Sequence, residues 1–288
     1  MTMHPGARLR ARVEEGVVQI PGAFNALVAR EIAKAGFDAC YLSGGATANV
    51  AGLPDVGLLT MTEVTRTIRQ IVDASKLPVI ADADTGYGEE EASVRTVVEY
   101  ERAGAAGLHV EDQVFPKRCG HLDGKQVVGV DVMAQKVQAM AGARASDDFI
   151  IIARTDARHV TDIDDAIARG NAYREAGADA IFPEGLTSPE EFAAFAKGSP
   201  GLLLANMTEF GKTPHISVDD FGALGYRMVI YPLSLMRLAM ACVVEGLDVL
   251  KREGSLESIE NRMQHRSELY ETLDYRPGEP WSFSENST

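Results

Sequence analysis

A segment of eleven residues, 111–121, contains more reactive side chains than a turn requires. It reads Glu-Asp-Gln-Val-Phe-Pro-Lys-Arg-Cys-Gly-His and follows an apolar run that ends at Val110. Cys119 is preceded by two basic residues, and nearby positive charge favours the thiolate form of cysteine. No second cysteine stands at metal-ligand spacing, so we interpret Cys119 as an acid, a base or a nucleophile. Lys117 and His121 lie beside it and are candidates for the same chemistry.

Two carboxylates, Asp82 and Asp84, stand two residues apart after another apolar run. In an extended backbone residues i and i+2 point to the same face, so both carboxylates can reach one point. Mg²⁺ is commonly bound by one or two carboxylates together with waters and substrate oxygens. The pair is therefore a candidate magnesium site. The alternative is that both residues cap the helix that begins near Glu89.

A third motif, Ser43-Gly44-Gly45, follows the run 39–42. Glycines allow a close approach, so their backbone N–H groups can bind an anion. An ordinary turn is the alternative interpretation of these three residues.

Eight short apolar runs alternate with helix-like segments, and glycines such as Gly36 and Gly104 mark the helix ends. The runs are 17–20, 39–42, 79–81, 107–110, 149–153, 180–182, 202–205 and 228–231. Continuous apolar strands separated by helices indicate a parallel sheet, and eight of them predict a single (β/α)8 TIM-type barrel over residues 1–288. An open doubly wound sheet is less favoured, because no Gly-x-Gly-x-x-Gly turn follows the first run.

The active site of such a barrel forms at the carboxyl ends of its strands. Nearly every run is followed there by a polar or charged residue, so we expect these side chains to converge. In chain order they include Ser43, Asp82, Asp84, Glu111, Arg154, Glu184, Asn206, Thr208 and Arg237.

The chain beyond the eighth run is mostly helical, over residues 234–275, with a break at Gly254. Two helices added to a complete barrel need a surface to pack on. We therefore expect them to pack on a neighbouring subunit and the protein to be an oligomer.

Charge and cysteine content exclude several classes of protein. A net charge of −14 disfavours nucleic acid and anionic membranes as partners, and no apolar run is long enough for a membrane span. The cysteines are Cys40, Cys119 and Cys242; they are odd in number and widely spaced, which predicts free thiols in the cytoplasm. We expect Cys40 and Cys242 to be small core residues.

Taken together, the motifs resemble the isocitrate lyase and phosphoenolpyruvate mutase superfamily, and within it the enzymes that cleave 2-methylisocitrate. The resemblance runs from about Pro21 to Tyr275. It rests on Lys117-Arg118-Cys119-Gly120-His121, Asp82-Ala83-Asp84, Ser43-Gly44-Gly45 and Asn206-Met207-Thr208-Glu209-Phe210-Gly211.

The resemblance implies a helix-swapped homotetramer, built as a dimer of dimers, and a Mg²⁺-dependent retro-aldol cleavage to pyruvate and succinate in propionate catabolism. It implies that Asp82 and Asp84 hold Mg²⁺, that Glu111 supports them and that Asp55 lies on a mobile loop nearby. Cys119 would be the general acid, with Lys117, Gly120 and His121 beside it. The di- or tricarboxylate substrate would be bound by Ser43, Gly44, Gly45, Cys119, Gly120, Arg154, Glu184, Asn206, Met207, Thr208, Arg237 and Arg266.

Retro-aldol cleavage also needs a base for the hydroxyl proton. We predict Tyr41 for this role, against the alternative that it is only a barrel-wall residue. Lyases of 2,3-dimethylmalate or isocitrate and oxaloacetate hydrolases are the alternative activities, and a non-catalytic anion-binding protein is the alternative outside enzymes.

Overall fold

The computed structural model describes residues 3–120, 122 and 124–281, in which strands and helices alternate. The strands are β1 Val18–Pro21, β2 Cys40–Leu42, β3 Val79–Asp82, β4 Gly107–Glu111, β5 Ile150–Thr155, β6 Ala180–Pro183, β7 Leu204–Asn206 and β8 Met228–Tyr231. The helices are α1 Pro5–Glu15, α2 Ala26–Lys34, α3 Gly44–Val50, α4 Met61–Ser75, α5 Glu90–Arg102, α6 Val130–Ala143, α7 Ile163–Glu175, α8 Pro189–Gly198, α9 Val218–Ala223, α10 Ser234–Glu253 and α11 Arg266–Thr272. Two 3-10 turns cover Ala157–His159 and Glu257–Arg262.

All paired strands are parallel, in the orders β2-β3-β4-β5-β6 and β1-β8-β7. Single bridges, from Gly22 to Tyr41 and from Ile181 to Leu203, join the two groups into a closed barrel. The prediction of a (β/α)8 barrel is confirmed, and each predicted apolar run overlaps one strand. The helix-ending glycines are confirmed too, since Gly36 and Gly104 have φ of 85° and 90°, which side chains disfavour.

The core has two layers. One lies inside the barrel, where Ile80 and Ile152 pack with Leu9 and Val13 of α1. The other lies between the strands and the surrounding helices. This packing fixes the strand ends, and therefore the site, on a rigid support.

The tail is helical as predicted, and Gly254, with a φ of 70°, ends α10. Within α10 only Val249 is buried, while Leu238, Val244 and Leu247 are 61–65% exposed. The expectation for Cys242 was wrong, because it lies on this uncovered helix and is exposed. Exchange of the helix between subunits stays a prediction. None of the described helices combines the length and apolar character needed to cross a bilayer.

Candidate active site

A chamber of about 220 Å³ opens at the carboxyl ends of the strands, where the predicted side chains were expected to converge. Its lining includes the predicted residues Tyr41, Ser43, Gly45, Asp55, Asp82, Lys117, Cys119, Gly120, Arg154, Glu184, Asn206, Thr208 and Arg237. Segments far apart in sequence therefore meet at one place, as the barrel geometry predicts.

Other predicted residues lie near the chamber or away from it. Asp84 contacts the lining residue Lys117, and Glu111 contacts Arg154. Met207 is buried and its sulfur accepts a hydrogen bond from the Ile216 backbone. Arg266 begins α11 and is exposed, away from the chamber of its own chain, so its part in the site stays a prediction. His121 lies outside the described residues.

The lining also includes residues that we did not predict. They are Leu122, Phe182, Glu209, Phe210, Gly211, Ile230, Pro232 and Leu233. A signal for Phe182 was present, because it stands two residues before the predicted Glu184 and alternate residues of a strand share a face. No comparable pattern marked Leu122, which lies in the cysteine loop.

One side of the chamber is acidic, and we call Asp55, Asp82, Asp84 and Glu111 the acid wall. A Cβ atom placed on Gly44 would lie 2.9 Å from Asp82 Oδ2 and 3.2 Å from Asp84 Oδ1, so both carboxylates converge there. Only glycine permits this approach. The alternative helix-cap role is excluded for both residues, since Glu89 is the N-cap of α5 and no side chain caps it.

The two aspartates differ in their proton affinity. Burial raises the pKa of Asp82, but the influence of His109, Lys117 and Arg154 outweighs it and lowers the pKa to about 2. Burial, followed by the charge of Asp82, raises the pKa of Asp84 to about 6. Asp82 also accepts hydrogen bonds from the backbone N–H groups of Gly44 and Asp84, both at 3.0 Å.

Within the chain, the ammonium group of Lys117 partly neutralises the carboxylates of the acid wall. Its side chain is 4% exposed; the ammonium is paired with Asp55 and lies 2.8 Å from Asp84 Oδ1. Lys117 comes from the cysteine loop, so this loop lies over the carboxylates.

The acid wall fits a Mg²⁺ ion. Glu111 is 1% exposed, and among the described residues neither of its carboxylate oxygens has a hydrogen-bond donor, although Arg154 Nε approaches Oε2 to 3.4 Å. Buried oxygens without donors are expected beside a cation. Among the described residues no three His, Cys, Asp or Glu side chains form a ready ligand set. Mg²⁺ is commonly bound by one or two carboxylates together with several waters.

The opposite side carries Arg154, Glu184, Asn206, Thr208 and Arg237, and we call it the arginine wall. Arg154 Nη1 lies 3.3 Å from Glu184 Oε2, which also accepts from Asn206 Nδ2 at 3.1 Å. Arg237 Nη1 donates to Thr208 Oγ1 at 3.1 Å. These donors are suited to bind carboxylate oxygens of a ligand.

Arg154 is oriented from behind by a buried network. Its Nε and Nη2 donate to both oxygens of Asp156, at 2.8 and 3.1 Å. Burial lowers the pKa of Arg154, but its three acidic neighbours outweigh this effect and keep the pKa well above its usual range. Behind Asp156, Asp112 accepts from the Asp156 backbone N–H at 2.9 Å and from Tyr173 Oη at 2.8 Å.

Cys119 lines the chamber and is half-buried. A Cβ atom on the next residue, Gly120, would lie 2.4 Å from Arg154 Nη2 and 2.5 Å from Glu184 Cγ. The cysteine loop therefore packs directly on the arginine wall and leaves no space for a side chain at Gly120.

Tyr41 lies at the base of the chamber. Its Oη is 2.6 Å from His109 Nε2 and 3.5 Å from Asp82 Oδ2. Burial, followed by the charge of Asp82, raises the pKa of Tyr41 well above its usual value. Burial also lowers the pKa of His109 to about 4, so this imidazole is neutral near pH 7 and can accept a hydrogen bond from the phenol O–H.

Comparison with known proteins agrees with this geometry. "Probable 2-methylisocitrate lyase 1" of Corynebacterium glutamicum is 52% identical over 260 residues, which is 90% of this chain and 85% of the relative. A 2-methylisocitrate lyase of Aeropyrum pernix is 45% identical over 94% of this chain and 88% of its own. A 2,3-dimethylmalate lyase of Eubacterium barkeri is 42% identical over 94% of each chain.

Solved structures of related enzymes share the fold of this chain. A crystal structure of a 2,3-dimethylmalate lyase, described as a PEP mutase/isocitrate lyase superfamily member, matches with a TM-score of 0.88 and 36% identity over 94% of this chain and 92% of the other. A phosphonopyruvate hydrolase in complex with oxalate and Mg²⁺ matches with a TM-score of 0.85 and 31% identity over 94% and 95%. The family described as phosphoenolpyruvate phosphomutase matches residues 9–250, and the chain belongs to this family.

Proposed function

We propose that the protein is a Mg²⁺-dependent carbon-carbon lyase that cleaves 2-methylisocitrate to pyruvate and succinate. The observation that carries the proposal is the shared chamber, which Cys119 lines together with Asp55 and Asp82 of the acid wall. The relatives named 2-methylisocitrate lyase, such as that of Corynebacterium glutamicum, support this substrate.

The reaction breaks one carbon-carbon bond and moves two protons. A base takes the hydroxyl proton, the hydroxyl carbon becomes the keto carbon of pyruvate, and the bonding electron pair goes to the succinate carbon. Cys119 gives its proton to that carbon. Mg²⁺, when bound, supplies Lewis-acid stabilisation of the emerging 2-oxoacid.

The chain's own residues bind and orient the substrate in this proposal. Arg154, Arg237 and Asn206 hold carboxylates on the arginine wall, and Ser43 with Gly45 does so near the acid wall. The cysteine loop excludes water from the carbanion. Tyr41 stays our prediction for the base. Its raised pKa counts against a free phenolate, and its contact with His109 fixes the position of the phenol oxygen.

Substrate choice is tested with a panel. Purified protein with Mg²⁺ is incubated with 2-methylisocitrate, 2,3-dimethylmalate, isocitrate or oxaloacetate, and the products are identified by mass spectrometry. We expect pyruvate and succinate from the first compound at the highest kcat/KM. Conversion of 2,3-dimethylmalate alone would favour the activity of the Eubacterium barkeri relative. Absence of turnover with all four would refute the proposal.

The role of Cys119 is tested by Cys119→Ala, with Cys242→Ala as the matched control. We expect the first change to lower kcat by about 10²–10⁴-fold, the range for loss of a general acid, with unchanged circular dichroism. The control lies outside the chamber and should keep full activity. Wild-type turnover in Cys119→Ala would remove Cys119 from this role.

We also propose that the chain forms one domain and assembles as a helix-swapped homotetramer, in the cytoplasm and in propionate catabolism. The exposed apolar side chains of α10 support assembly, since monomers rarely leave such a face uncovered. Light scattering coupled to size exclusion should give a tetramer, and Val244→Lys should give smaller species. A monomeric wild type would contradict this assembly.

A further inference from the structure

The peptide that carries the thiol is held from both sides by buried side chains that do not line the chamber. On one side is Gln113, which is 3% exposed. Its Oε1 accepts from the Arg118 backbone N–H and its Nε2 donates to the Arg118 carbonyl, both at 2.9 Å. One side-chain amide thus satisfies both backbone groups of the residue before Cys119.

On the other side is Lys125, whose side chain is 1% exposed. Its ammonium donates to the Gly120 carbonyl and, at 2.7 Å, to Asp156 Oδ1. Asp156 is the residue that orients Arg154. Lys125 therefore ties the residue after Cys119 to the same carboxylate that fixes the main arginine of the chamber.

This arrangement leaves the thiol peptide little freedom. A buried ammonium is stable only with its partners in place, and hydrogen bonds to charged groups are stronger than those between neutral groups. The packing of Gly120 against Arg154 and Glu184 limits movement towards the chamber. Loss of the hydrogen bonds made by Gln113 or by Lys125 would let Cys119 move. Small displacements of a reacting group strongly lower the rate of the chemical step.

We propose that Gln113 and Lys125 are positioning residues that set the Cys119 thiol against the substrate. Lys125 further couples the closed position of the loop to the orientation of Arg154 through Asp156. This inference rests on the proposed function for the identity of the reaction, but the mobility that it assigns to the loop can be measured without turnover.

The competing interpretation is that both residues only stabilise the fold. Peptide-resolved alkylation with iodoacetamide separates the two interpretations, because Cys40 and Cys119 report on different parts of the molecule. Cys40 is fully buried in β2 and reacts only if the barrel unfolds, whereas Cys119 reports on the loop.

The variants are Lys125→Met and Gln113→Met, with Gln126→Met as the matched control. Gln126 lies in the same loop with an exposed side chain. Gln113→Met changes no charge, so it keeps the test available if Lys125→Met does not fold. Lys125→Arg is included because it retains a buried cation and tests rescue.

For both test variants we expect alkylation of Cys119 to rise about tenfold, as expected on loss of a strong hydrogen bond, while Cys40 stays unreactive. With 2-methylisocitrate and Mg²⁺, kcat should fall about 10- to 100-fold with little change in KM, and Lys125→Arg should recover part of it. Gln126→Met should match wild type in both measurements.

The proposal is overturned if Cys119 alkylation and kcat are unchanged in Gln113→Met and Lys125→Met. It is also overturned if Cys40 and Cys119 become reactive together, because that result shows a purely structural role. If the wild type does not cleave the substrate, the proposed function fails, and the alkylation rates still decide whether Gln113 and Lys125 hold the loop.

Discussion

The two walls of the chamber neutralise their buried charge in different ways. On the arginine wall, Arg154 and its acidic neighbours lie within hydrogen-bond or ion-pair distance, and Asp156 is bonded at both oxygens. On the acid wall, Glu111 is as deeply buried, but neither of its oxygens has a hydrogen-bond donor in the part of the chain that the structure describes. The difference supports our proposal that a cation from solution completes the acid wall, whereas Asp156, behind the arginine wall, is paired within the chain.

The largest expected effect is the loss of folding stability when Arg154 is replaced by an uncharged residue. Arg154→Met leaves Asp156 and Glu184 buried beside an apolar side chain, and breaking such a network costs about 3–5 kcal/mol. Urea unfolding of the metal-free protein measures this cost. Arg237→Met is the control, since its side chain is 33% exposed and should cost about 1 kcal/mol or less. Equal costs for both variants would show that the arginine wall is not a buried network.

The next effect is the response of the acid wall to Mg²⁺. A ligand that binds only the folded protein stabilises it by about 2.7 kcal/mol at a hundredfold excess over Kd. Thermal unfolding with and without MgCl₂ should show this gain in wild type and in Arg237→Met. Asp82→Asn should lose it. A gain that persists in Asp82→Asn would place the cation elsewhere.

The smallest expected effect is that of Glu111→Gln in the metal-free protein. No hydrogen bond from a described residue to the carboxylate is lost, so the free energy of unfolding should change by less than about 1 kcal/mol. Asp156→Asn makes the same chemical change in the bonded carboxylate and should cost about 3 kcal/mol. Urea unfolding of both variants measures the two losses of stability. Similar losses for Glu111→Gln and Asp156→Asn would contradict the difference between the two walls.

Much of this architecture was predictable, because its signals are local. Each apolar run overlaps a strand. Because a barrel brings the residues that follow its strands to one rim, the sequence predicted that Asp82, Arg154 and Glu184 lie together. The motif around Cys119 pointed to the loop that closes the chamber. These inferences need only the period of a strand and the symmetry of the fold.

Other features depend on distant pairings that no local pattern contains. Lys125 and Asp156 are 31 residues apart in sequence, and Asp112 and Tyr173 are 61 apart. A lysine or an aspartate in a polar segment usually faces water, so nothing marked these as buried. Cys242 was misjudged for a related reason, since the described residues leave most of the apolar face of α10 exposed.

The sparse burial of α10 has a consequence for how the protein unfolds. We expect the barrel to unfold as one cooperative unit, whereas a helix with a single buried residue gains little stability from the rest of its chain. A dilute single chain should therefore lose α10 well before the barrel melts, and amide exchange should be fast along this helix. If copies of the chain cover the helix, both events merge into one transition whose midpoint rises with protein concentration.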